Sequence, residues 1–130
     1  MASNNENSIN VLCAFHNEEI GSLTEQGADS TFLIDILTRI AKTLNIDIFI
    51  ALSNSIMVSS DNAHAIHPNA LAKSDPTNRV LLNKGIVIKH HINYTTDAVT
   101  SSVFKGICDK AKVPYQDFAC RADMKCGSTL

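Results

Sequence analysis

The stretch NKGIVIKHHINYTTDAVTSSVFKGICDKAKVPYQDFACRAD, residues 83–123, carries the clearest signal of a fold class. Its first ten residues alternate well enough to read as a strand, with Gly85 at the start. Over 97–112 the apolar residues Val99, Val103, Phe104, Ile107 and Ala111 recur at helical spacing, with Thr96 or Asp97 as cap and Pro114 as the stop. YQDFACRAD then reads as another strand. Strand, helix, strand is the unit that builds a parallel sheet, because parallel neighbours need a long crossover between them.

SIMVSSD (55–61) reads as an earlier strand running into the polar NAHAIHPN, where Pro68 is expected to halt regular structure. Upstream of it, Phe32, Leu33, Ile36, Leu37, Ile40 and Leu44 form the apolar stripe of a helix of about four turns, with Gly27 and Asp29 as its start. INVLCAF (9–15) is a short apolar run of the kind buried on both faces of a helix-covered sheet. Residues 1–8 are polar and read as a disordered N-terminus. At the other end the last strand meets the glycine turn of MKCGSTL, where a further helix is expected, so that 9–130 reads as part of a domain. The expected fold is α/β, a layered and largely parallel or mixed sheet with helices packed on it.

Composition narrows the function. A chain of 130 residues with 45% hydrophobic content supports one domain with a real core. A formal net charge of -2 with scattered lysines and arginines provides no basic stripe, which argues against a nucleic-acid partner. No apolar stretch reaches the roughly 20 residues of a membrane span and no secretory signal opens the chain, so a cytoplasmic location is expected. Cys13, Cys108, Cys120 and Cys126 lack zinc-knuckle or redox-pair spacing and read as reduced thiols.

Three polar clusters, HNEE, SSDNAHAIHPN and CRADMKCGST, fall at the C-terminal ends of expected strands, where open α/β sheets build ligand sites. Adjacent strand residues point to opposite faces, so Glu18 and Glu19 gain nothing from being neighbours on a surface. At a strand end they can divide a task, one holding a metal and the other handling a proton. Glu18, Glu19, Asp61, His64 and His67 are suitable types for a hydrolytic zinc, manganese or cobalt site. Their spacing alone equally fits a solvated glutamate pair and a loop of capping histidines.

AFHNEEIGSLTEQGADSTFL, SSDNAHAIHPN, KGIVIKHHINYTTDAV and VPYQDFACRADMKCGSTL resemble, in this order, the central blocks of the aspartyl aminopeptidase and yeast vacuolar aminopeptidase I family of two-metal exopeptidases. The resemblance runs from Ile9 to Leu130 and implies a partial zinc-peptidase-like catalytic domain acting on peptides. It puts the general base on Glu18, a metal ligand on Glu19 and a ligand of the other metal on Asp61. By the same likeness His64 and His67 line the site, with a loop-holding role as the alternative. Lys89 and Tyr94 lie at the substrate pocket, where a lysine suits an acidic side chain; a strand-end surface lysine is the plain alternative. Gly127 sits in a turn whose amides meet substrate. Arg121 and Asp123 read as a pair supporting that turn.

The chain also departs from the family. A histidine ligand and a bridging aspartate before the glutamate pair, a histidine ligand after the glycine turn, and the inserted domain used for homo-oligomer assembly all lie outside these residues. His16 stands where the family commonly has aspartate. The resemblance therefore implies a segment of a metal-dependent aminopeptidase, inactive by itself. The alternative is a truncated, non-catalytic subunit that associates with a complete aminopeptidase.

Overall fold

The computed structural model describes residues 8–16, 23–25 and 27–119. They fall in two compact units, one ending at Ser59 and one beginning at Ser60.

The first unit is helical. Helix α1, Phe32–Leu44, carries Asp35 in its first turn and Lys42 in its last, charges of the signs that the helix dipole favours at those ends. Asn45 ends it in the left-handed region at φ 54°, and the Ile46 N–H reaches back to the Ala41 carbonyl at 2.9 Å. Leu33, Leu37 and Ile40 are half-buried and Ala41 is buried, so one side of the expected stripe is covered, while Phe32, Ile36 and Leu44 stay exposed. The helix begins later than Gly27 and Asp29 suggested, because a turn in which Ser30 donates to the Gly27 carbonyl occupies that stretch. A second helix, α2, Ile48–Ser53, was not legible as one. Asp47 starts it by accepting from the Phe49 and Ile50 amides at 2.8 and 3.2 Å.

The strands expected at 9–15 and 55–61 are not formed: 8–15 and 55–61 carry no ladder. A strand exists only against a partner, and neither run has one among the described residues. The apolar pattern satisfied the local requirement but not the non-local one.

The second unit contains the strand–helix–strand unit. Strand β1, Ile86–His90, pairs in parallel with β2, Tyr115–Ala119, in the register Ile86↔Tyr115 to His90↔Ala119. Helix α3, Ala98–Ala111, makes the crossover. Its start is a capping box: Asp97 accepts from the Thr100 amide at 2.7 Å while the Asp97 amide donates to Thr100 Oγ1 at 3.0 Å. The expected helix and its cap are therefore present, but of the residues expected inward Phe104 alone is half-buried, and Ala111 is exposed. Ser101 and Cys108 are buried and Phe104 and Lys105 half-buried, whereas Val99, Val103 and Ile107 remain exposed. On the 101/104/105/108 face Lys105 pairs with Asp117 of β2 at 2.8 Å.

Pro68 also acts differently from expectation. It opens a 3-10 segment, Pro68–Lys73, rather than halting structure, since a missing N–H costs nothing in a first turn. His67 caps this segment by accepting the Asn69 amide on Nδ1 at 3.2 Å.

Side chains of successive strand residues alternate between sheet faces. Lys89, Gln116 and Phe118 share one face and meet residues of the 61–82 segment; Ile88, His90, Tyr115 and Asp117 share the other, beneath α3. Val80, Ile88, Cys108 and Phe118 are the buried core between these layers. Gln116 joins the layers by donating to the Leu81 carbonyl at 3.0 Å and accepting the Leu81 amide at 2.9 Å.

The cap of α3 is expected to be pH-sensitive. Hydrogen bonds from the Thr100 amide and hydroxyl hold the Asp97 carboxyl below its ordinary value of 3.8. A depressed carboxylate contributes stability that is present above 3.8 and lost as pH falls through its lower folded value. Asp97→Ala should lower the melting temperature at neutral pH and flatten its decline below 3.8. Melts of both forms across that range check this, and parallel pH profiles would refute it.

Candidate metal and substrate site

Asp61 and Lys89 are brought together across 28 residues of chain. The Lys89 ammonium donates to Asp61 Oδ2 at 2.8 Å and to the Asn62 carbonyl at 3.3 Å. Both side chains are largely covered, 18% exposed for Lys89 and 23% for Asp61, so Lys89 is not a plain surface lysine. β1 positions it at the last rung but one, where the pleat turns it toward the 61–82 layer. A partly covered, charge-assisted hydrogen bond stabilises by roughly 1.5–3 kcal/mol. Asp61→Asn, which keeps the shape, should cost about 1–2 kcal/mol and release the Lys89 ammonium; urea unfolding gives the measurement, and an unchanged midpoint would remove the pair as a stabilising element.

The other expected site residues are dispersed or undescribed. His64 is exposed and lies against the Phe118 ring, centroids 5.5 Å apart, in a small pocket that also includes Ile66, Ser74, Asn78 and Val80. His67 is engaged as the cap of the 3-10 segment, the loop-holding role. Tyr94 stands edge-on to His91, centroids 5.8 Å apart, in a turn closed by the Tyr94 amide on the His91 carbonyl. Glu18, Glu19, Arg121, Asp123 and Gly127 lie outside the described residues. Cys13 and Cys108 are free thiols, as expected for the described pair.

Several polar groups were not anticipated. Asp117 accepts from Lys105 Nζ at 2.8 Å and from His90 Nε2 at 3.0 Å. The Lys105 hydrogen bond first, and that of His90 after it, hold the Asp117 carboxyl below the usual range, against the opposing effect of burial. Asp75 accepts from the Thr77 hydroxyl and amide at 2.6 and 2.7 Å and from Asn78 Nδ2 at 3.2 Å, which lowers its carboxyl to about 2. Its contribution to the 75–78 turn persists above 3.8 and fades toward about 2. The D-x-T-N spacing was a readable turn signal; the Asp117 cluster was not, since it depends on strand register.

Among the described residues no group of three or more His, Cys, Asp or Glu is placed to hold a metal ion. Asp61 nevertheless fits a single-oxygen ligand. Oδ2 is taken by Lys89, and Oδ1 has no hydrogen-bond partner among the described residues. Carboxylates of this kind suit zinc, manganese or cobalt. No described helix is long and apolar enough to cross a membrane.

Comparison with known proteins places the chain. The family model described as aminopeptidase I zinc metalloprotease (M18) matches residues 1–130. A probable M18 family aminopeptidase 2 of Clostridium novyi is 53% identical, over 98% of this chain and 31% of that protein. A probable aspartyl aminopeptidase of Ricinus communis is 43% identical, over 97% of this chain and 27% of its own length. The chain thus spans less than a third of these relatives. Among solved structures, prApe1 superposes with a TM-score of 0.73 at 28% identity, over 88% of this chain and 25% of that one. A chain of the Ape4 and Nbr1 complex superposes at 0.70 and 42% identity, over 86% of this chain and 22% of that one. The chain, matched along its whole length, belongs to the aminopeptidase I zinc metalloprotease (M18) family.

Proposed function

We propose that these residues form part of the catalytic domain of a metal-dependent aminopeptidase that removes N-terminal residues, acidic ones among them, from peptides. The observation that carries the reading is the family match over all 130 residues. The covered Asp61–Lys89 pair at the end of β1 supports it by holding a carboxylate whose second oxygen has no hydrogen-bond partner among the described residues.

In this reading Glu19 and Asp61 are ligands of the metals, zinc first and manganese or cobalt as substitutes. When bound, such ions polarise the scissile carbonyl and acidify the attacking water. Glu18 accepts the proton of that water and delivers it to the leaving amine. Lys89 orients Asp61 and, with Tyr94 and His64, faces the peptide; Gly127 offers backbone amides to it. His67 serves the same loop from its cap. Assembly of the complete enzyme as a homo-oligomer, and a cytoplasmic location, belong to the same proposal.

Residues 9–130 hold Glu19 and Asp61 as their only metal ligands in this scheme, short of the roughly four that zinc takes. The isolated chain is therefore expected to be inactive. The test is hydrolysis of aspartyl, glutamyl and leucyl 4-nitroanilides with zinc, manganese or cobalt. It compares the chain alone with the Clostridium novyi relative carrying this segment in place of its own. Turnover by the exchanged enzyme only supports the reading, and a well-folded exchanged enzyme that binds metal without turnover sinks it.

A second reading has its own observation. Val99, Val103 and Ile107 leave an apolar stripe on α3 that is open to solvent, up to 70% exposed at Val99. Such a stripe suits a non-catalytic subunit docking on a complete aminopeptidase. Co-elution of the chain with the Clostridium novyi enzyme would favour this reading, and separate elution would exclude it.

A further inference from the structure

On the sheet face turned away from Lys89, one carboxylate joins three elements. Asp117 of β2 accepts from His90 of β1 at 3.0 Å and from Lys105 of α3 at 2.8 Å. A carboxylate has no proton to give, so His90 Nε2 is the donor. We infer that His90 is a positioning residue for Lys89: through Asp117 it ties the C-terminal end of β1 to β2 and so fixes the backbone from which Lys89 reaches Asp61.

The geometry favours this in three respects. β1 and β2 are five residues each and form a two-stranded parallel ladder among the described residues, a pairing that is weak per residue, so the last rungs gain from a side-chain tie. His90 occupies the last rung, opposite Ala119, and Lys89 the rung before, opposite Phe118. Because adjacent residues face opposite ways, a tie made by His90 restrains Lys89 without entering the layer that holds Asp61. Lys105 plays a different part. It anchors Asp117 to α3 and approaches the Tyr115 ring at 5.9 Å, but makes no bond to β1 that would hold Lys89.

That difference supplies the experiment. Its functional meaning rests on Lys89 facing substrate, but the readout contains none: it is the exchange rate of the Lys89 ammonium protons in the lysine-labelled chain, by nuclear magnetic resonance. Failure of the aminopeptidase reading leaves this result unchanged, and failure here leaves the nitroanilide test standing. His90→Ala should speed Lys89 exchange roughly tenfold, the loss expected when a charge-assisted tie is removed. His90→Gln, which retains a side-chain donor, should restore most of the protection. Lys105→Met should lower the melting temperature at least as far as His90→Ala while leaving Lys89 exchange near its original rate. His90→Met, which keeps bulk and removes the donor, replaces His90→Ala if the smaller side chain prevents folding. Unchanged Lys89 exchange in the donor-free variants overturns the inference. So does exchange that rises in all variants in step with the fall in melting temperature.

Discussion

Gly85→Ala is expected to lower the melting temperature by on the order of 10–20 °C. Gly85 has φ +116°, a backbone region that side chains rarely adopt, and holding a non-glycine residue there costs roughly 1–3 kcal/mol. A Cβ at this position also overlaps the Pro114 carbonyl and crowds the Tyr115 nitrogen. Those atoms cannot retreat freely, because the Ile86 amide donates to the Pro114 carbonyl at 2.9 Å as β1 enters its pairing with β2. Backbone strain and overlap together reach about 3 kcal/mol or more. Gly106 is the control, since it lies in α3 and, apart from its own helix, no described residue comes within 4 Å of where a Cβ would stand. Gly106→Ala should stabilise by about 0.5–1 kcal/mol through helix propensity. Thermal melts of both variants decide the matter; a Gly85→Ala protein melting within about 2 °C of the parent would show that the entry to β1 is not as constrained as argued.

Glu18→Gln is expected to remove turnover by about 10²–10⁴-fold in the exchanged aminopeptidase while leaving its metal content intact. The motive is the adjacent carboxylates of HNEE and the roles the family resemblance assigns to them. A proton acceptor beside an acidified water loses its function when it becomes an amide, although size and hydrogen-bonding reach are preserved. A ligand treated in the same way loses the charge that holds the ion, so Glu19→Gln should weaken metal affinity as well as turnover. Steady-state kinetics on aspartyl 4-nitroanilide, combined with metal titration calorimetry, separates the two variants. If both lose metal alike, or if Glu18→Gln keeps full turnover, the division of labour between the neighbours is wrong.

Local punctuation and family membership were legible in the linear order of residues. Gly85 marked the start of β1, Asp97 capped α3, Pro114 lay between α3 and β2, and the helical period of 32–44 marked α1. These features depend on residues a few positions apart, so a linear reading reaches them. The four motif blocks identified the family in the same way, since they are sequence patterns themselves.

Which apolar runs become strands, and which face of a helix is covered, depended on contacts between residues distant in the chain. INVLCAF and SIMVSSD satisfied the local pattern of strands but lacked a ladder partner among the described residues. On α3 the residues Val99, Val103 and Ile107 stay exposed, while the face with Ser101, Phe104, Lys105 and Cys108 is the covered one and carries the Lys105–Asp117 ion pair. Lys89 had two readings as a residue in a string. It acquired a definite environment when the chain brought Asp61 to it across 28 positions, a contact set by folding and not by spacing.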